Sequence, residues 1–432
     1  MKKAVKIVIT LCIIAFVADM TVAGLSYYLT KRIQTLYSQK EDALSLINGE
    51  PAKDKGNVWI QQSAKHHDLM LMGSSELSSP VRQNIKFNYP NTTYPHNIST
   101  MGHADVQNML HAIDIGANEE SYRKSDVVIV ESIQWFFGDD ISQDGFMSNF
   151  SELQFYEFLK NPHISYKNKD YLCKRFLEMD NRRAVVMTED NIAKIEDSRL
   201  SGIAGKVAKH IHFKIPVSEY DYPQTHILAK MYISHNPMKK CVYMLLQPYY
   251  HFRYGLMKIK DQYAAYQYLK AVDGSYNKKI FETDWKSQMA TAEIEGKTSC
   301  TNNDIYVYDD YYTTYLKDSW ETQKDSNSGV SALNSKEWGD FQFLLSVCRE
   351  LGIKPYIINV SCNGYYYDYT GLDPAMRQKY YARLDKTAAQ YGVSAYSDLK
   401  NKEYEPYVFV DVMHLGWKGW IYVTKAITEH FK

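Results

Sequence analysis

Thirteen histidines are spread along this chain of 432 residues, and only His414 has a carboxylate three positions before it, in Asp411-Val412-Met413-His414. That spacing lets a turn bring Asp411 to the far imidazole nitrogen, which fixes the tautomer and stabilises the imidazolium. The other ring nitrogen then faces a hydroxyl. A candidate hydroxyl lies near the opposite end of the chain, in Gly73-Ser74-Ser75-Glu76-Leu77. Serine is a weak nucleophile until a base stands beside it. Each motif also has a plain structural reading. Asp411 could cap a helix and a serine could start one, and the second glycine of a G-x-S-x-G elbow is missing. An early serine with Asp-x-x-His at the end of the chain is nevertheless a recognisable order for acyl chemistry.

The surrounding pattern supplies elements that could position these groups. Residues 68–72 form a short apolar run stopped by Gly73, the mark of a buried strand and a tight turn. Residues 126–133 (DVVIVESI) are a second buried strand, and 355–360 (PYIINV) a third. Helical spacing runs over 102–117, 335–351, 373–391 and 416–430, with a short strand at 393–396. Gly352 and Gly392 mark helix-to-strand junctions. Strands alternating with helices predict a parallel sheet covered on both faces, with its site at the carboxyl ends of the strands. The rhythm fails over about 140–330, which is read as a long, mainly helical insertion or cap. Trp417 and Trp420, three apart on the last helix, are read as core packing, with an acyl pocket or the bilayer as alternatives. Glu76 is read as a cap or as a residue that orders the serine turn.

Composition bounds the partners. Fifty Lys and Arg balance fifty Asp and Glu, so no basic field exists to hold nucleic acid. Tyrosine is abundant at 37 residues, suiting surfaces that meet sugars, peptides or headgroups. Lys2, Lys3 and Lys6 precede an apolar stretch over 7–29, interrupted by Asp19 and closed by Lys31-Arg32. About 20 apolar residues span a bilayer as helix. The expectation is one transmembrane anchor over 1–32, cytoplasmic N-terminus first, with a stalk over 33–57 and an extracellular domain over 58–432. A cleaved signal peptide is the alternative. Five cysteines outside the anchor show no CxxC spacing and are read as buried small hydrophobes, with a Cys348–Cys362 bridge as the alternative. Neither a zinc site nor a nucleotide loop is signalled, so no metal and no cofactor are expected.

The order of Ser75, Asp411 and His414 resembles the SGNH hydrolase superfamily. With a single N-terminal apolar segment, GSSEL after a strand and His414-Leu415-Gly416-Trp417-Lys418-Gly419-Trp420 at the end, the chain is similar to the DltD family. Gln134-Trp135-Phe136 after the second strand and Ser361-Cys362-Asn363-Gly364 after a later one agree with it. The resemblance covers the anchor and the core blocks and is weak over 140–320. It implies an SGNH-like three-layer α/β fold with Ser75 as nucleophile, His414 as general base and acid, and Asp411 orienting it. Ser74 is the runner-up to Ser75. For the oxyanion it implies donors near Ser75, with the Ser75 and Gly102 N–H groups, Gln134 and Asn363 as candidates, since the usual G-x-N-D asparagine is absent. The implied activity is transfer of D-alanyl groups from an activated donor to teichoic acid at the outer face of the cell membrane. A membrane acyltransferase and small carrier proteins would be its partners. An SGNH O-acetyltransferase or deacetylase, or a non-enzymatic scaffold, are the competing readings.

Overall fold

The computed structural model describes residues 2–186 and 220–432. Five short strands form one sheet: β1 (Leu69–Met72), β2 (Ile98–Met101), β3 (Val127–Ser132), β4 (Tyr356–Val360) and β5 (Ala395–Tyr396). Their order is β2-β1-β3-β4-β5, and every pairing is parallel. Side chains alternate across the pleat, so each strand feeds two cores. Met70, Met72 and Ile129 enter one, and Leu69, Leu71, Val128 and Val130 the other. Both sides being buried is why these strands read as continuous apolar runs.

Helices α2 (Asn108–Ala117), α6 (Glu337–Glu350) and α7 (Pro374–Gln390) cover the first face, and α5 (Trp285–Ser299) and α8 (Trp417–His430) cover the second. The result is the expected three-layer arrangement. Trp417 and Trp420 belong to the second core, as their spacing suggested. The strand β2 escaped the sequence reading. It is a four-residue edge strand whose Ser99 and Thr100 break the apolar signal, and the helix expected from residue 102 begins at Asn108.

The region expected to form a cap is fused to the core. Phe146, Phe155 and Phe158, with Phe176 on α3 (Tyr166–Val186), join the same buried cluster as α2 and α6. Arg175 reinforces the junction, with its guanidinium buried between Asp140 and Asp340. Part of the insertion, residues 187–219, lies outside the described residues.

The N-terminal segment departs from the expected division between anchor and stalk. The expected anchor and the first part of the stalk, residues 33–44, are one helix, α1 (Lys2–Leu44), and no helix among the described residues is long and apolar enough to cross a membrane. Much of the apolar stretch before residue 16 lies outside the described side chains. Beyond it, Leu29, Ile33, Tyr37 and Leu44 are buried against Trp59 and against Ala265 and Leu269 of α4 (Pro237–Ala271). The described cysteines are unbridged, so Cys348 and Cys362 form no disulfide. Four are buried, whereas Cys241 is exposed, contrary to the reading of all as small core hydrophobes.

Candidate active site

A parallel sheet in the order 2-1-3-4-5 reverses direction between its first and third strands, and the crevice there lies outside the carboxyl ends. Ser75 follows β1 and Gln134 follows β3, so the sequence motifs arrive at that crevice by topology. The chain leaves β1 through Gly73 and Ser74 and turns at once into a 3-10 segment, Ser75–Ser78. At this turn Ser74 is buried, and its hydroxyl reaches the His103 carbonyl at 3.3 Å. Ser75 points the other way, and its Oγ lies 2.9 Å from His414 Nε2.

His414 is held by a tight loop. Phe409 and Leu415 form an antiparallel bridge, and the Val410 N–H donates to the His414 carbonyl at 2.9 Å. Asp411 closes the loop from within. Its Oδ1 accepts the N–H groups of Met413 and His414 at 2.8 and 2.7 Å, and its Oδ2 lies 2.6 Å from His414 Nδ1. A carboxylate only accepts, so Nδ1 carries the hydrogen and Nε2 is left to accept from Ser75. Burial works against the imidazolium. The Asp411 hydrogen bond and charge, with the Glu76 charge behind them, outweigh it and raise the His414 pKa above its ordinary value.

Two ties hold the serine turn to its neighbours, and the sequence reading saw neither in full. Ser79 donates from its buried hydroxyl to the Leu415 carbonyl at 2.6 Å, linking the serine turn to the histidine loop. Glu76 is fully buried and accepts from Gln134 Nε2 at 2.6 Å and Trp135 Nε1 at 3.2 Å. Glu76 thus orders the serine turn rather than capping a helix. The Ser79 contact left no local trace because its partner is 336 residues away.

The remaining candidates divide. Gln134 lies at the crevice, with one amide hydrogen on Glu76. The Ser75 N–H has no acceptor among the described residues. Gly102, by contrast, donates its N–H to Asp54 Oδ1 at 3.2 Å. Its role is steric: φ is +110°, and a Cβ there would lie 2.0 Å from the Gly73 carbonyl oxygen. Asn363 is committed as well. It caps the helix Gly364–Tyr369 by accepting the Tyr366 N–H at 3.0 Å, and it donates to the Ile305 carbonyl at 2.8 Å. Its own N–H donates to the Val412 carbonyl at 3.0 Å, so it braces the histidine loop. No group of metal-ligating side chains occurs among the described residues.

This geometry can be set beside known proteins. A family model described as DltD protein matches residues 49–432. A curated relative named Protein DltD from Bacillus subtilis (strain 168) is 25% identical over 366 residues, covering 84% of this chain and 82% of that protein. Protein DltD from Staphylococcus aureus (strain NCTC 8325 / PS 47) is 22% identical over 392 residues, covering 90% and 85%. Protein DltD from Lacticaseibacillus rhamnosus is 22% identical over 381 residues, covering 88% and 81%. The matched span of the family model contains the serine turn, every strand of the sheet and the histidine loop, and the chain belongs to the DltD family.

Proposed function

We propose that this protein is a serine acyltransferase that places D-alanyl groups on teichoic acid at the outer face of the cell membrane. The DltD family takes part in teichoic-acid D-alanylation. The observation that carries the enzymatic reading is the relay from Ser75 to His414 to Asp411, with contacts of 2.9 and 2.6 Å. Ser75 Oγ attacks the carbonyl carbon of an activated D-alanyl ester or thioester while His414 Nε2 takes its proton. The tetrahedral species collapses, the leaving alcohol or thiol departs with that proton, and a D-alanyl ester remains on Ser75. A hydroxyl of the polyol-phosphate chain then gives its proton to His414 as it attacks that ester, and Ser75 leaves with the proton. Water in place of the polymer hydroxyl would give hydrolysis by the same steps.

The Ser75 N–H and the second amide hydrogen of Gln134 are the donors assigned to the oxyanion. Gly102 and Asn363 are given positioning roles because their polar groups are engaged elsewhere. The SGNH-like fold and a membrane anchor over residues 1–32 belong to the same proposal, as do partner proteins that deliver the donor.

The test uses cells whose only copy carries Ser75→Ala or His414→Ala. Ester-linked D-alanine on the polymer is expected to fall to background while the purified variants keep wild-type circular dichroism. Retained D-alanine content with either variant refutes the assignment. Purified protein that turns over acetyl esters but not D-alanyl esters would refute the substrate.

A further inference from the structure

Helix α4 carries a row of apolar side chains that no described residue covers. Met238, Val242, Leu245, Tyr249, Phe252 and Leu256 recur at alternating steps of four and three, which places them on one side of the helix. Each is between 40% and 77% exposed. The other sides of α4 are occupied. Tyr243 and Tyr254 pack on Tyr232 and Tyr156 of the globular body. α1 runs parallel along a third side, where Thr30 accepts from Gln262 at 2.9 Å and Lys40 donates to the Leu269 carbonyl at 2.8 Å. α1 has exposed apolar residues of its own over the same length, among them Phe16, Val17 and Met20.

Charge decides what fits this face. α4 contains six Lys or Arg and a single acidic residue, Asp261. Lys239 and Lys240 are exposed beside the first turn of the row. An apolar stripe flanked by cations and tyrosines is the pattern of a helix lying in a headgroup interface and favouring anionic lipid. We propose that the open face of α4, beside the exposed apolar residues of α1, is a second contact with an anionic bilayer. This does not depend on the chemistry assigned to Ser75. It would give the globular body a second point of attachment to the lipid beside the N-terminal anchor.

Cys241 is the one exposed cysteine among those described, and it stands at the start of the row. The full chain, with Cys12→Ser to leave a single accessible thiol, is labelled at Cys241 with an environment-sensitive dye. It is then reconstituted into phosphatidylglycerol-containing or phosphatidylcholine vesicles. Loss of iodide quenching and a blue shift in the anionic vesicles are expected. Both should weaken in phosphatidylcholine and disappear with Leu245→Glu/Phe252→Glu. Quenching in anionic vesicles equal to that in detergent micelles overturns the proposal. So does protection that appears only when other membrane proteins are added, which would make the face a protein-docking site. A Ser75→Ala chain should give the same protection, so this result and that of the catalytic test are read independently.

Discussion

At the residue scale, the site depends on one carboxylate doing two jobs. Asp411 shapes its loop with one oxygen and orients His414 with the other. In the proposed mechanism His414 must be neutral to take a proton from Ser75. Because its pKa is raised, kcat/KM should rise with pH through a midpoint above the ordinary imidazole value of about 6.5. Asp411→Asn removes the charge that supports the imidazolium. The midpoint should then move to lower pH, and the plateau rate should fall by about 10³- to 10⁴-fold. A pH–rate profile of both proteins checks this, and an unmoved midpoint would contradict it. Glu76→Gln should shift the midpoint the same way, because the Glu76 charge also raises the His414 pKa. The pairing of Asp411 with His414 was legible in the sequence because it is local. The choice between Ser74 and Ser75 was not, since adjacent hydroxyls differ only in where a turn points them.

At the element scale, short strands end in turns that must approach one another closely. Gly102→Ala would bring a Cβ against the Gly73 carbonyl at a left-handed φ. Backbone strain of this kind costs on the order of 1–3 kcal/mol, so thermal unfolding should shift down, with activity falling as the serine turn moves. Asn363 offers a sharper contrast. If it only braces the loop, Asn363→Ala should lose about 1 kcal/mol of capping stability, and Asn363→Ser, which can still cap, should recover most of it. An oxyanion donor would behave differently, losing about 10²- to 10³-fold in kcat. Melting curves and kcat measured on the same preparations separate the two. The strands β1, β3 and β4 were legible because burial on both faces makes them uniformly apolar. The edge strand β2 was not, because Ser99 and Thr100 make its four residues a mixed rather than an apolar run.

At the scale of the whole molecule, the insertion is part of the fold. Arg175 on α3 is enclosed by Asp140 and by Asp340 of α6, and its 2.8 Å contact with Asp340 joins the insertion to the sheet's covering layer. Arg175→Met should cost about 3–5 kcal/mol, because it leaves Asp340 buried without its cation. A chemical-denaturation midpoint measures the loss. A shift near zero would mean that the pair is solvated and the insertion is separable.

Local pattern alone determined which residue types were available for chemistry, the alternating α/β class and the burial of both sheet faces. It could do so because strand periodicity, glycine stops and a three-residue Asp–His spacing are properties of neighbours along the chain. Only the tertiary structure decided that Ser75 rather than Ser74 meets His414, that Gly102 and Asn363 have their polar groups engaged, and that the expected stalk lies buried against α4. Those outcomes depend on contacts between residues tens to hundreds of positions apart, and a hydrogen bond has one donor direction that only the folded backbone can set.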